Sequence, residues 1–238
     1  MIEGRAGKMM TLRLTVLKYV SEQRYATLED IYNGSGNKAG RESFRVSLYQ
    51  FGLSRFSFPG VKEGIWHIGK QDIFKELQDL FPNDPLYSCI DIHPNEVLHA
   101  LGMNKIRYFL ANQAGITIER WQSEYSLRSL PLSMREFEFR NIPDAIFWRK
   151  LEDGSVQKCF VEYERSLKIH ERYKNILKAY ARRSDVTEGS ILFICQSESI
   201  QKELLRARKA VFDKGIFNEQ QEYFRFMDYA RTLHAIAD

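Results

Sequence analysis

Three acidic residues stand where a strand hairpin would ordinarily carry apolar side chains. Residues 142–166 read "IPDAIFWRKLEDGSVQKCFVEYERS": two apolar runs about a turn at Gly154, with Asp144 opening the first and Glu162 and Glu164 inside the second. Side chains two apart in a strand share a face, so Glu162 and Glu164 project together. If the runs pair antiparallel, Asp144 comes near them. Carboxylates gathered in this way repel and raise one another's pKa, and a divalent cation relieves them. Mg²⁺ or Mn²⁺ suits such oxygens, keeping waters and phosphate oxygens as further ligands. An ion so held generates hydroxide and stabilises charge on a phosphodiester. The plain alternative is a group of solvated charges at strand ends. Directly after the acids, positions 165–183 carry seven basic residues and one acid, a composition that complements phosphate.

The elements that must hold these residues follow from periodicity. After residue 94, the apolar positions of 95–114 predict a long helix closed by Gly115, and 116–121 a strand. Strands are predicted at 137–141, 144–150 and 158–165. A helix is predicted at 168–185, with Ile169, Tyr173, Ile176, Leu177 and Tyr180 on one face. The nearly all-apolar run 190–196 predicts a strand buried on both faces, and 199–213 a basic amphipathic helix. The expected domain is a mixed α/β sheet with helices on its faces.

The N-terminal part has a different grammar. A helical stripe of Leu12, Val16, Leu17 and Val20 is followed by Thr27, a candidate N-cap for a short helix ending at Gly34. A helix at 41–52 carries Phe44, Leu48 and Phe51 on one side, Arg41 and Arg45 on another, and Gly52 at its end. Two short strands surround a Pro-Gly turn in 55–69. Helix, helix, helix, hairpin is the winged-helix order, which makes Lys38, Arg41 and Arg45 candidate DNA contacts. The charge agrees: residues 1–70 hold 11 Lys+Arg against 6 Asp+Glu, whereas the whole chain of 238 is only +4. The expected layout is an appended tail at 1–9 (Ile2-Glu3-Gly4-Arg5 looks like a factor Xa cleavage site), a winged helix at 10–80, a linker at 81–94 around Pro82 and Pro85, and a catalytic domain at 95–238. No run of eighteen apolar residues predicts a membrane span, and Cys89, Cys159 and Cys195 show no paired spacing, which points to free thiols in the cytoplasm.

With these residues in order, Pro143-Asp144 … Glu162-x-Glu164 resembles the PD-(D/E)xK nuclease signature, with Glu164 where lysine usually stands. Glu124 sits where that superfamily often has an additional acid. Residues 95–200 as a whole are similar to the replication-relaxation proteins of mobile elements, and most of all to the plasmid relaxases of the MOBC class. The 18-residue gap from Asp144 to Glu162 fits that class. The resemblance implies a winged helix before a restriction-endonuclease-like domain, nicking at an origin of transfer, and an Mg²⁺ or Mn²⁺ ion on Asp144, Glu162 and Glu164 with Glu124 assisting. It also implies accessory mobilisation or coupling proteins as partners. The departure at Glu164 requires either that this glutamate acts as a further ligand or that another lysine substitutes. Lys168, Lys174 and Lys178 are the candidates, and Lys178 is favoured. The same departure leaves open a DNA-binding initiator or repressor whose nuclease-like domain is inert.

Other residues carry less. The five histidines include no HxH or HxxxH pair, and His99 falls where related proteins often have a histidine. Tyr163 and Tyr180 read as packing residues. Trp66 and Trp121 read as core anchors. Lys168 and Arg172 extend the basic face toward DNA phosphate. "GSGNKAG" is followed by no GK[ST] and is read as a turn.

Overall fold

The computed structural model describes residues 5–36, 40–82, 84, 86, 92, 94–113, 117–130, 142–187, 189–213 and 218–230. Lys38, Cys89, His93, Gly115, His234 and the strand expected at 137–141 lie outside these. The chain divides into two compact units, residues 1–108 with 125–131, and residues 109–124 with 132–238. The division falls inside a helix, rather than at the 81–94 connector.

The first unit contains α1 (Arg5–Gln23), β1 (Ala26–Thr27), α2 (Leu28–Gly34), α3 (Arg41–Gln50), β2 (Ser54–Phe56), β3 (Ile65–His67), α4 (Gln71–Leu80) and most of α5 (Pro94–Asn112). Helix α1 thus begins inside the segment set aside as a tail. Strand β3 lies between β1 and β2, antiparallel to both. Thr27 caps α2 as its sequence predicts: its Oγ1 accepts from Asp30 N–H at 3.1 Å, and Asp30 Oδ2 accepts from Thr27 N–H at 2.8 Å. Gly52, at φ +91°, takes the left-handed turn that releases the chain from α3. Val16, Leu17, Val20, Phe44, Leu48 and Trp66 form the core, so the apolar stripes of α1 and α3 face inward as expected.

Helix α5 belongs with this unit for a physical reason. Asn104 Nδ2 donates to the Tyr25 carbonyl at 2.9 Å, Arg107 pairs with Glu22 at 3.2 Å, and Arg24 pairs with Glu96. Val97, Ala100 and Leu101 bury against Tyr25 and Ile65. The short helix α6 (Glu124–Ser129) leaves its first residue in the second unit and contributes Tyr125 to this cluster.

The second unit is a five-stranded mixed sheet in the order β4 (Thr117–Ser123), β5 (Ala145–Lys150), β6 (Val156–Glu164), β7 (Ile191–Cys195), β8 (Phe224–Asp228). The pairs β4–β5 and β5–β6 are antiparallel, and β6–β7 and β7–β8 are parallel. Parallel pairing needs crossovers, and α7 (His170–Ala181) and α8 (Glu198–Phe212) supply them. Central β6 is therefore where a hairpin meets a crossover. β7 buries Ile191, Phe193, Ile194 and Cys195, as its unbroken apolar run requires. Cys159 and Cys195 are buried free thiols, which burial pushes up to about 11 and about 12. No helix among the described residues is long and apolar enough to cross a membrane.

Candidate functional site

The hairpin register does what the period of two requires. Ala145 pairs with Val161, and Asp144 just before it reaches the far end of β6, where its Oδ2 accepts the Tyr163 N–H at 2.6 Å. On its other side, Ser123 pairs with Ala145, and the Asp144 carbonyl accepts the Glu124 N–H at 2.7 Å. That bond sets Glu124 beside Asp144, and a carboxylate oxygen of each lies within 4.8 Å of the other. Asp144 is thus tied through its main chain to one acid and, through its side chain, to the strand that carries two more.

Glu162 and Glu164 occupy the face of β6 that α7 covers. Glu162 Oε1 accepts the Tyr180 hydroxyl at 2.5 Å. Lys168 Nζ lies 2.6 Å from Glu164 Oε1 and 2.5 Å from Oε2. Glu164 is 1% exposed, so this ammonium supplies the charge that makes its ionisation tolerable. The electrostatics tie the three acids together. Burial, then the negative charge of Asp144, hold Glu162 well above the ordinary carboxylate range; Tyr180's hydrogen bond opposes them and Glu164 adds to them. Glu164 is raised by burial against the pull of Lys168, and Asp144 again adds to the rise. Tyr180 is raised by burial and by Glu162. The set does not close as tightly as the sequence led one to expect: Asp144, Glu162 and Glu164 do not all come within the 4.8 Å that Glu124 and Asp144 reach. The reason is that each glutamate is held by its own partner from α7 or the segment leading into it.

The lysine expectation is changed by the geometry. Lys168 is the lysine that meets a site carboxylate. Lys174 pairs with Glu171 at 2.7 Å, and Lys178, favoured from the sequence, lies in the last turn of α7 with its charge acting on Glu171. Helix α7 begins at His170, so Lys168 precedes it on a short strap four residues beyond Glu164, too close to leave the glutamate's neighbourhood. Arg172 is exposed in the first turn, and its charge reaches Glu164. Tyr180, read as packing, is buried in the apolar stripe and also holds Glu162. A tyrosine on a buried stripe needs a partner for its hydroxyl, which was the signal available in the sequence. Tyr163 turns to the opposite face, donates to Gln196 and stacks on Tyr229 at 5.0 Å. Trp121 packs on Phe147 as the expected anchor.

In the first unit, Arg41 is shared between Glu63 at 3.2 Å and Glu29 at 3.5 Å, and Arg45 pairs with Glu42 at 2.9 Å. Both arginines keep about half of their side chains in water (50% and 46%), so these pairs are weak and can be exchanged. His99 lies on α5 in this unit.

The donor set fits a hard divalent cation. The donors that the second unit contributes are carboxylate oxygens, and two of these acids are destabilised by a like-charged neighbour, which a cation would reverse. Asp144, Glu162, Glu164 and Glu124 are the residues that would hold it. Compared with protein-family models, curated proteins and solved structures, the chain finds no match, and the reading of its site rests on this chemistry.

Proposed function

We propose that this chain is a metal-dependent DNA endonuclease that nicks one strand, a cytoplasmic relaxase of the MOBC plasmid class acting at an origin of transfer. The observation that carries the reading is the hairpin geometry that bonds Asp144 to the strand bearing Glu162 and Glu164 and sets Glu124 beside it. Mg²⁺ or Mn²⁺ held by Asp144, Glu162 and Glu164, with Glu124 assisting, would supply Lewis acidity and ionise a water. The chain's own residues do the rest. Tyr180 fixes one oxygen of Glu162, Asp144 is oriented by the Tyr163 amide, and Lys168 brings a positive charge where phosphate charge would accumulate. The mixed sheet with α7 and α8 is compatible with a restriction-endonuclease-like domain. The helix–strand–helix–helix–hairpin order of the first unit supports a winged helix, with Arg41 and Arg45 of α3 toward DNA and Lys38 just before it. Accessory mobilisation or coupling proteins would complete the assembly.

The test is nicking of supercoiled plasmid carrying the cognate origin, with Mn²⁺ or Mg²⁺ present. Open-circular product from the parent, lost in Asp144→Ala and Glu162→Ala, supports the reading. Equal nicking by the variants sinks it. One observation favours a second reading, an inert DNA-binding initiator or repressor: Lys168 already neutralises Glu164. Retained origin binding with no Mn²⁺ uptake would select that alternative.

A further inference from the structure

The strap between β6 and α7, residues 165–169, breaks two local rules at once. Ile169 and Leu167 are the most exposed large apolar side chains among the described residues, at 76% and 61%. The α7 periodicity would have buried Ile169 with Tyr173 and Tyr180. Instead it stands at the N-cap of α7, where polar side chains are favoured, and makes no side-chain cap bond. The strap is nevertheless held firmly. Buried Tyr173 accepts the Lys168 N–H at 3.2 Å and donates to the Ser166 carbonyl at 3.3 Å, while the Ile169 carbonyl accepts the Arg172 N–H at 3.0 Å. Lys168, between the two apolar residues, turns inward to Glu164. The backbone thus presents Leu167 and Ile169 to water on either side of a lysine anchored in the candidate site. A local misfit that the surrounding bonds enforce points to function.

The charge around the pair names the occupant. Beside the pair, positions 165–174 carry four basic residues, Arg165, Lys168, Arg172 and Lys174, and one acid, Glu171; Lys168 turns in to Glu164, Lys174 pairs with Glu171, and Arg172 is exposed. Branched apolar side chains framed by cations match a nucleic acid, with phosphates on the cations and a base step opened by the apolar wedge. We infer that Leu167 and Ile169 form a wedge that unstacks DNA next to the candidate site. This rests on the proposed reading that DNA is the substrate, and it adds that the protein distorts the strand it binds.

The experiment uses the full chain without added metal and duplex DNA carrying 2-aminopurine at several steps. The parent is expected to raise the fluorescence about threefold or more as the probe unstacks. The Leu167→Ala/Ile169→Ala double variant is expected to bind the duplex through its cations but to give no rise. Because both side chains are exposed, its Tm should match the parent's. A rise that survives in the double variant, or binding by the parent with no rise, overturns the wedge while leaving DNA binding in place. No duplex binding by the parent overturns both. A parent that sediments as a dimer while the double variant sediments as a monomer shows the pair to be a self-interface, and also overturns the wedge.

Discussion

Both units bury acidic side chains, and the contrast between them separates an acid that builds structure from an acid that is a candidate for chemistry. Asp30 in the first unit is raised by burial, yet every neighbour that acts on it stabilises its charge: Thr27 through its amide and hydroxyl, Asn104 at 3.3 Å, and Lys105. Its position is explained by a capping box and a tie to α5. Glu162 in the second unit is raised by burial and then again by Asp144 and Glu164. Burial of a carboxylate is therefore a poor sign of function. A neighbouring carboxylate that makes burial worse, and is not outweighed by cations, is a better one: Glu22 of the first unit also feels Asp84, but Arg107 and Lys18 act on it more strongly, whereas at Glu162 the push of Asp144 comes directly after burial.

The largest effect that would sharpen this contrast is expected at Lys168. Lys168→Met strips the counter-charge from Glu164, which is 1% exposed, and should cost about 3 kcal/mol, the lower end for broken buried pairs because Lys168 keeps some contact with water. Urea unfolding measures it, and Lys174→Met, whose partner Glu171 is exposed, should lie within about 1 kcal/mol of the parent. Next is Tyr180→Phe, which leaves Glu162 Oε1 without its donor and should cost about 1.5–3 kcal/mol. If chemical denaturation finds no loss, Tyr180 is only a packing residue. Asp30→Ala in the first unit should cost about 1 kcal/mol through the lost cap, with no dependence on added cation.

The smallest effect is a pH dependence. Glu162 has a raised folded-state pKa, so its contribution to stability is present below the ordinary 4.5 and is lost as the pH rises toward the folded value. The groups that set it are Asp144, Glu164, Tyr180 and Lys168. Glu162→Gln cannot ionise. Its Tm relative to the parent should therefore climb as the pH is raised from about 4.5 to neutrality, and Mn²⁺ should narrow the difference by stabilising the parent alone. A flat difference across that range would show that Glu162 is not held protonated by its neighbours.

Much of this was legible in the sequence where a local rule decides. Thr27 stands before a short helical segment and caps it; that Asp30 returns the bond to complete a capping box is added by the structure. Glu162 and Glu164 share a face because strands alternate, and the Gly154 hairpin delivers Asp144. What was not legible depends on tertiary choices. Ile169 fits the α7 stripe by spacing, but the helix starts one residue later and leaves it in water. Lys178 and Lys168 were indistinguishable by composition until the start of α7 placed one on the strap and the other in the last turn. The pairing of β8 beside β7 had no signal, since "FRFMD" mixes apolar and charged residues without the apolar run that marks β7. The unit boundary within α5 reflects Asn104, Arg107 and Glu96 finding partners near Tyr25, contacts that no local pattern encodes.

On this reading, acids set against one another in the second unit form a cation site, whereas Asp30 of the first unit does not. Calorimetric titration of Mn²⁺ into the parent, Asp144→Asn and Asp30→Asn tests it most directly. Uptake by the parent and by Asp30→Asn, with uptake lost in Asp144→Asn, is the predicted result; Asp144→Asn binding Mn²⁺ as the parent does would contradict it.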